Sequence, residues 1–266
     1  MRLVSFDSYR TLGMEGVSYI KPELMFRHTE QLSQADWLLF PEYWQINSLS
    51  YGLGAKVFPS VASYHLGHNK IEMTRCFQLI APAHVPDTLI LANTPGSQQQ
   101  VLDHFDFPFV VKKVRSSRGE GVYRIENRSE FFAYCAEVDV LYAQELLPID
   151  RDLRLLVIGE QVVGGYWRVG QEGGFHNNVS KGGEIVRGLL PESAVELVQN
   201  IAQKTGINHA GFDVAMVGNH PYLLEFNRLF GNQGIGEIGL DVSRLISEYL
   251  WRHSKPRLVV DELIQA

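Results

Sequence analysis

The stretch from Gly211 to Ile235, GFDVAMVGNHPYLLEFNRLFGNQGI, constrains this chain more than any other. It reads as a two-stranded hairpin. Val214 to Val217 and Tyr222 to Phe226 are the strands, and Gly218-Asn219 supplies the turn between them. Three oxygen-bearing side chains ride on it: Asp213, Glu225 and Asn227. Side chains on a strand repeat every two residues, so Glu225 and Asn227 share a face, and hairpin pairing brings Asp213 roughly opposite them. Two carboxylates and an amide oxygen suit a hard cation such as Mg²⁺ or Mn²⁺, which takes oxygen ligands and shares them with substrate phosphates. A solvent-facing polar row on an antiparallel hairpin is the plainer alternative. The rest of the chain decides between them.

The chain has 266 residues, 45% hydrophobic and 20% charged, which is long enough and apolar enough for one to three globular domains. Its formal net charge of −6 argues against nucleic acid as a bulk electrostatic partner. Cys76 and Cys135 lie far apart with no pairing motif and read as small buried hydrophobes. No segment approaches the roughly 20 apolar residues of a membrane helix, and the apolar run at the start is short for a signal peptide. A cytoplasmic protein without membrane contact is the expectation.

Leu3 to Ser5, Trp37 to Phe40 and Lys56 to Pro59 are short apolar runs that read as parallel strands of a small aromatic-rich α/β unit. From Lys70, the residues Ile71, Met73, Thr74, Phe77 and Ile80 have helical spacing, with Asn69 as N-cap and Pro82 as stop. His65 and His68 could pair on a metal, but no third ligand is near and they read as loop histidines. Further strands are expected at Thr88–Leu91, 141–145, 152–158 and 161–169, and helices at 96–105, 129–135, 191–205 and 242–251.

Phe109 to Lys113 and Val122 to Ile125 read as strands around the loop RSSRGEG. Such a loop can present backbone N–H groups to a phosphate chain. It is not a P-loop, since GxxxxGK[ST] is absent and no helix follows directly. Lys112 sits in an apolar strand; it is either an edge lysine with a packed stem or a site lysine, and Lys113 must face the other way. Gln144 to Pro148 ends a strand at a proline and can offer backbone groups to an adenine edge, or simply connect two parts of the chain. A Gly-rich crossing, GQEGGFHNNVSKGG, carries Asn177, Asn178 and Lys181.

Taken in order, the lysine strand with its flap, the hinge, the Asp-x-Arg strand, the Asn-rich loop and the Asp…Glu-x-Asn hairpin resemble an ATP-grasp ligase, most closely the RimK-like glutamate-ligase group. The resemblance spans roughly residues 69–240. It implies an α/β (α+β) ATP-grasp fold of two α+β subdomains that grip ATP, at 67–143 and 144–266, preceded by a small N-terminal α/β domain at 1–66. It implies nucleotide contacts from Lys70, Lys112, the flap with Ser117, Gly119 and Gly121, and the adenine hinge Glu145, Leu146 and Leu147. Asp152 matches an acidic residue near the ribose. His176, Asn177, Asn178 and Lys181 match a further nucleotide-contacting loop. Arg154 and Arg168 match arginines facing the reaction centre, with Arg228 beside the metal set Asp213, Glu225 and Asn227. The implied activity is ATP-dependent ligation of a carboxylate to an amine or amino acid through an acylphosphate, on a small acid, a peptide or a protein; homo-oligomerisation is left open.

Three departures bear on substrate. Asn227 is followed by Arg228, Leu229, Phe230 and Gly231, where the family carries a small residue, Ser, Pro and Gly. His176 stands where the family has arginine. The N-terminal unit is short and aromatic-rich. An ATP-binding regulator without turnover, or a phosphotransferase that stops at phosphoryl transfer, are the competing readings.

Overall fold

The computed structural model describes residues 1–114, 121–170, 184–231 and 233–254. The chain divides into two compact units, one of Met1–Phe58 with Asp241 onward, the other Pro59–Leu240.

The first unit holds strands β1 (Leu3–Ser5), β2 (Val17–Tyr19), β3 (Trp37–Leu39) and β4 (Val57–Phe58), all parallel, in the order β2-β1-β3-β4. β1 and β3 are buried along their whole length, as inner parallel strands are. Three of these strands lie where the sequence places them; β2 is too short and too polar to register as a periodic run. A five-residue helix α1 (Thr29–Ser33) precedes β3. Helix α8 (Val242–His253) also belongs here, capped by Asp241 and burying Ile246, Tyr249 and Leu250. Trp37 donates to Ser254 Oγ at 3.0 Å and its ring meets Tyr249 at 6.2 Å. Ser243 Oγ donates to the Leu12 carbonyl at 2.6 Å. The apolar face of α8 is covered by the N-terminal sheet, where Tyr249 meets Trp37 and Phe58.

The second unit begins with α2 (Val61–Leu66), tied in by Asn208, whose side-chain oxygen takes the Ser60 N–H at 2.7 Å. α3 (Lys70–Ile80) follows, and Asn69 caps it as expected, accepting from the Ile71 N–H at 2.9 Å. Strands β5 (Thr88–Ala92), β6 (Phe109–Lys112), β7 (Val122–Ile125) and β8 (Val140–Gln144) form one antiparallel sheet in the order β5-β8-β6-β7. Helices α4 (Pro95–His104) and α5 (Arg128–Cys135) cover its apolar face, where Val101, Phe109, Phe131 and Leu141 are buried together.

The larger sheet has β9 (Arg151–Ile158), β10 (Gln161–Val169), β11 (Glu184–Val186), β12 (His209–Val217) and β13 (His220–Asn227), antiparallel in the order β11-β10-β9-β12-β13. Pro221 is tolerated because β13 is an edge strand. One face of the sheet carries Leu153, Leu155, Val157, Phe212, Val214, Leu223 and Phe226. α3 packs Met73 and Phe77 on it, and α6 (Glu192–Thr205) packs Ala194, Val198 and Ile201. Each such large apolar side chain contributes about 1.5–3 kcal/mol on burial. Gly206 ends α6 at φ +74°, the left-handed stop its sequence suggests. α7 (Gln233–Ile238), only six residues long, was not visible as a periodic pattern.

Candidate active site

With one face of the larger sheet committed to the core, alternation leaves the other for polar groups. Register then sets who stands beside whom. Asp152 pairs with Arg168 and Arg154 with Tyr166 across β9 and β10. Arg154 pairs with Asp213 across β9 and β12. Asp213 pairs with Glu225, and Gly211 with Asn227, across β12 and β13. Four strands thus bring five charged side chains to one face.

These side chains engage each other directly. Arg168 donates from Nε and Nη2 to Asp152 at 2.6 and 2.8 Å. Its Nη2 also lies 2.9 Å from Asp213 Oδ1. Arg154 reaches the same carboxylate, Nε to Oδ1 at 2.5 Å and Nη2 to Oδ2 at 3.1 Å. Burial raises the Asp213 pKa to about 6 while the two arginines pull it the other way. For Arg168 the desolvation that would lower its pKa is outweighed by Asp213 and Asp152, and the value rises.

Lys70, the first residue of α3, places Nζ 3.0 Å from Glu225 Oε2. Lys112, at the end of β6, is buried, with its ammonium 5.4 Å from the centroid of the Tyr142 ring. Its neighbour Lys113 turns away to Glu137 at 2.6 Å, as alternation requires. Burial lowers the Lys112 pKa to about 8 against the opposing pull of Glu225. Burial would raise Glu225, but Lys70 and Lys112 bring it down to about 2, so it is a carboxylate at any ordinary pH. Asn227 Nδ2 approaches Glu225 Oε1 at 3.4 Å.

The arrangement gathers Lys70, Lys112, Asp152, Arg154, Arg168, Asp213, Glu225 and Asn227. Arg228 turns toward Tyr64. Its guanidinium stands 4.7 Å from the centroid of the Tyr64 ring, and its carbonyl accepts from His209 Nδ1 at 2.6 Å. Glu145, Leu146 and Leu147 form the link from β8 toward β9; Glu145 exchanges backbone and side-chain hydrogen bonds with Asp87, at 2.9 and 2.8 Å. Gly121 closes the loop after β6, its carbonyl accepting from the Lys113 N–H at 2.6 Å. Ser117, Gly119, His176, Asn177, Asn178 and Lys181 lie outside the described residues. His65 lies in α2, and among the described residues no three His, Cys, Asp or Glu side chains form a metal cage. Cys135 is buried and Cys76 partly so; both are free.

Sequence reasoning missed Tyr142, whose hydroxyl is 2.7 Å from Thr74 Oγ1 beneath Lys112, and Tyr166, which covers Gly234. Isolated aromatics in apolar strands carry no signal. Gly211 did carry one: a glycine inside a strand marks a close approach, here by the Arg154 side chain.

The model of the RimK-like ATP-grasp domain matches residues 69–250. The chain belongs to this family. A probable alpha-L-glutamate ligase of Citrobacter koseri is 28% identical over 222 residues, covering 77% of this chain and 74% of that protein. The ribosomal protein bS6–L-glutamate ligase of Escherichia fergusonii shows the same identity and coverage. The D-alanine–D-alanine ligase of Bacillus anthracis superposes with a TM-score of 0.71 at 14% identity, covering 95% of this chain and 98% of that one, a likeness of fold. The RimK-like chain is accordingly an ATP-grasp ligase, an enzyme that forms carbon–nitrogen bonds, and ATP with a divalent metal is general to its family. Its donor set fits such a metal. Glu225 stays ionised, Asn227 adds a neutral oxygen, and hard oxygen ligands are what Mg²⁺ takes.

Proposed function

We propose that the protein joins a carboxylate to the amino group of an acidic amino acid, at the expense of ATP. The γ-phosphoryl passes to a carboxylate oxygen, giving an acylphosphate and ADP. The amine nitrogen then forms a bond to the acyl carbon, the carbon–oxygen bond to phosphate breaks, and the nitrogen loses a proton. The observation that carries this reading is the face on which two lysines and two arginines surround Asp213, Glu225 and Asn227. Phosphoryl transfer needs positioning and charge neutralisation more than covalent help from protein. Lys70 and Lys112 neutralise the phosphate chain, and Arg154 and Arg168 face the charge that builds up during transfer. Asp213, Glu225 and Asn227 would hold Mg²⁺ or Mn²⁺, which supplies further neutralisation when bound. Glu145, Leu146 and Leu147 would take the adenine edge, between subdomains near 67–143 and 144–240.

Glutamate as the amine follows the printed names of the relatives from Citrobacter koseri and Escherichia fergusonii. The acceptor is a small acid, a peptide or a protein terminus. A cytoplasmic setting, where ATP is plentiful, goes with this activity.

Release of ADP over panels of acids, each with and without glutamate and other amines, tests the reading. ADP release that requires both an acid and an amine supports it. Release that needs only an acceptor makes the protein a phosphotransferase instead.

A further inference from the structure

We infer that Arg228 anchors a carboxylate of the incoming amino acid and so sets a preference for an acidic amine substrate. Its guanidinium lies 4.7 Å from the centroid of the Tyr64 ring, which is fully buried. Arg228 itself is half-buried, and its Nε is buried without a hydrogen-bond partner. Among the described residues no carboxylate pairs with it. An arginine keeps its charge in a protein and carries N–H donors along the edges of its plane. A ring face attracts that charge but offers those edges no acceptor oxygen. A buried cation with only a ring beside it is costly to keep. The anion that fits a planar fork of donors is a carboxylate, taken through two parallel bonds.

The surrounding backbone holds this side chain in place. The Arg228 carbonyl accepts from His209 Nδ1 at 2.6 Å, and the His209 ring stacks on Phe230 at 4.4 Å and 14°. His209 and Phe230 are both buried. Gly67 brings the turn between α2 and α3 against β13, since a Cβ there would meet the Phe226 ring at 3.1 Å. Tyr64 lies before that turn, and Lys70, 3.0 Å from Glu225, lies after it. Arg228 directly follows Asn227, about 3.8 Å away between α-carbons. Its fork is therefore within one side-chain length of the metal set. Asp213 and Glu225 are held by Arg154, Arg168 and Lys70, so the cations that meet phosphate are in place without Arg228. An amine attacking an acylphosphate there keeps its nitrogen at the acyl carbon, and its own carboxylates extend about one side chain further. That is the reach of the Arg228 fork.

This inference rests on the ligase reading proposed above, whose ADP-release assay judges that reading separately. The experiment is calorimetric titration of the whole chain, loaded with Mg²⁺ and a non-hydrolysable ATP analogue, with L-glutamate, L-glutamine and the α-amide of L-glutamate. Glutamine lacks the side-chain carboxylate and the α-amide lacks the α-carboxylate, so the two identify which group is anchored. The wild type should bind glutamate at least about tenfold more tightly than the amide that lacks the anchored group, the scale for losing a hydrogen bond to a charged partner. Arg228→Gln should lower glutamate affinity to that of this amide, and leave the amide and the nucleotide analogue within about twofold. Arg228→Lys keeps the charge, loses the fork and should fall between the two. A uniform loss of nucleotide and all three amino acids, with a lower melting temperature, makes Arg228 a structural residue and overturns the inference. Equal binding of glutamate and both amides by the wild type overturns it without any variant, so the test stands even where Arg228→Gln does not fold. A wild type that binds the nucleotide and no amino acid overturns it too, while ADP release that requires both an acid and an amine would still uphold the ligase reading.

Discussion

Asp213 and Glu225 face each other across the β12–β13 hairpin because the ladder slips by one residue just before they meet. From the Gly218-Asn219 turn, pairing runs regularly through Val217 with His220, Met216 with Pro221, Ala215 with Tyr222 and Val214 with Leu223. A regular continuation would set Asp213 against Leu224 and leave Glu225 on the face of Leu223, which is buried in the apolar core. The bulge at Leu224 absorbs one residue and turns Glu225 to the polar face. One irregularity thereby lets the edge strand supply a core residue and a carboxylate two positions apart.

Glu225→Gln keeps the shape of that side chain and removes its charge. Magnesium-dependent ADP release should fall by about a hundredfold or more, the scale for removing a group that meets transition-state charge. Lys70 loses the charged half of its 3.0 Å contact, so stability should drop by about 1–3 kcal/mol without unfolding the protein. Steady-state kinetics and a thermal melt check the two halves. Near-wild-type, magnesium-dependent turnover would remove Glu225 from the metal set.

Lys112 and Lys113 are neighbours with different surroundings. Lys112 is buried beside Tyr142 and Glu225, whereas Lys113 reaches out to Glu137 and Tyr123. Lys112→Met should weaken ATP binding by about tenfold or more, as expected for loss of a hydrogen bond to a charged group. Lys113→Ala removes a surface pair and should leave ATP affinity within about twofold. Equal losses in the two variants would contradict the register of β6.

Much of this site is legible in the sequence because strand alternation and turn chemistry are local. The Gly218-Asn219 hairpin, the opposite facing of Lys112 and Lys113, and the Asn69 cap of α3 all follow from residues a few positions apart. What stayed hidden is non-local. Nothing near Asp152 in the chain announces that Arg168 will take both its oxygens; that depends on how β9 and β10 register after the bulge between Val162 and Gly164. Arg228 follows Asn227 directly, but neighbours in sequence need not share a partner. The chain bends after β13, His209 takes the Arg228 carbonyl, and the guanidinium stacks over Tyr64. Placement of α8 with the N-terminal sheet is likewise a tertiary choice, since any apolar surface could cover an amphipathic helix.

Burial gives Lys112 a pKa of about 8, and that sets a pH dependence for nucleotide binding. Below pH 8 the ammonium is charged and ready for phosphate. Bound ATP favours the charged form and raises its pKa, so above pH 8 binding must take up a proton. Affinity for ATP should be flat from pH 6.5 to about 8 and then fall by up to about tenfold per pH unit. Folding shows the opposite trend in the same window. The unfolded chain keeps the proton up to its ordinary lysine pKa, so the contribution of Lys112 to stability rises with pH above 8. Calorimetry from pH 6.5 to 9.5 measures the first effect. A slope that survives in Lys112→Met belongs to another group.

Gly211 is the residue that lets Arg154 lie flat against β12. A Cβ there would sit 2.7 Å from Arg154 Nη1, 2.9 Å from its Cδ and 3.2 Å from the Phe230 Cβ. The arginine cannot retreat freely, because its Nε and Nη2 are held by Asp213. Gly211→Ala should therefore destabilise the protein by about 1–3 kcal/mol, the usual cost of overpacking, although alanine suits a strand better than glycine does. ATP affinity should fall with it, as the displaced guanidinium gives up Asp213. Combining Gly211→Ala with Arg154→Ala should recover most of the packing loss, since the truncated side chain no longer reaches the added methyl. Gly96→Ala in α4 is the control: a Cβ there meets nothing within 4 Å, and the melting temperature should hold or rise. Thermal melts of the four proteins decide the matter, and a Gly211→Ala variant as stable as wild type would mean that Arg154 is not pinned between Gly211 and Asp213.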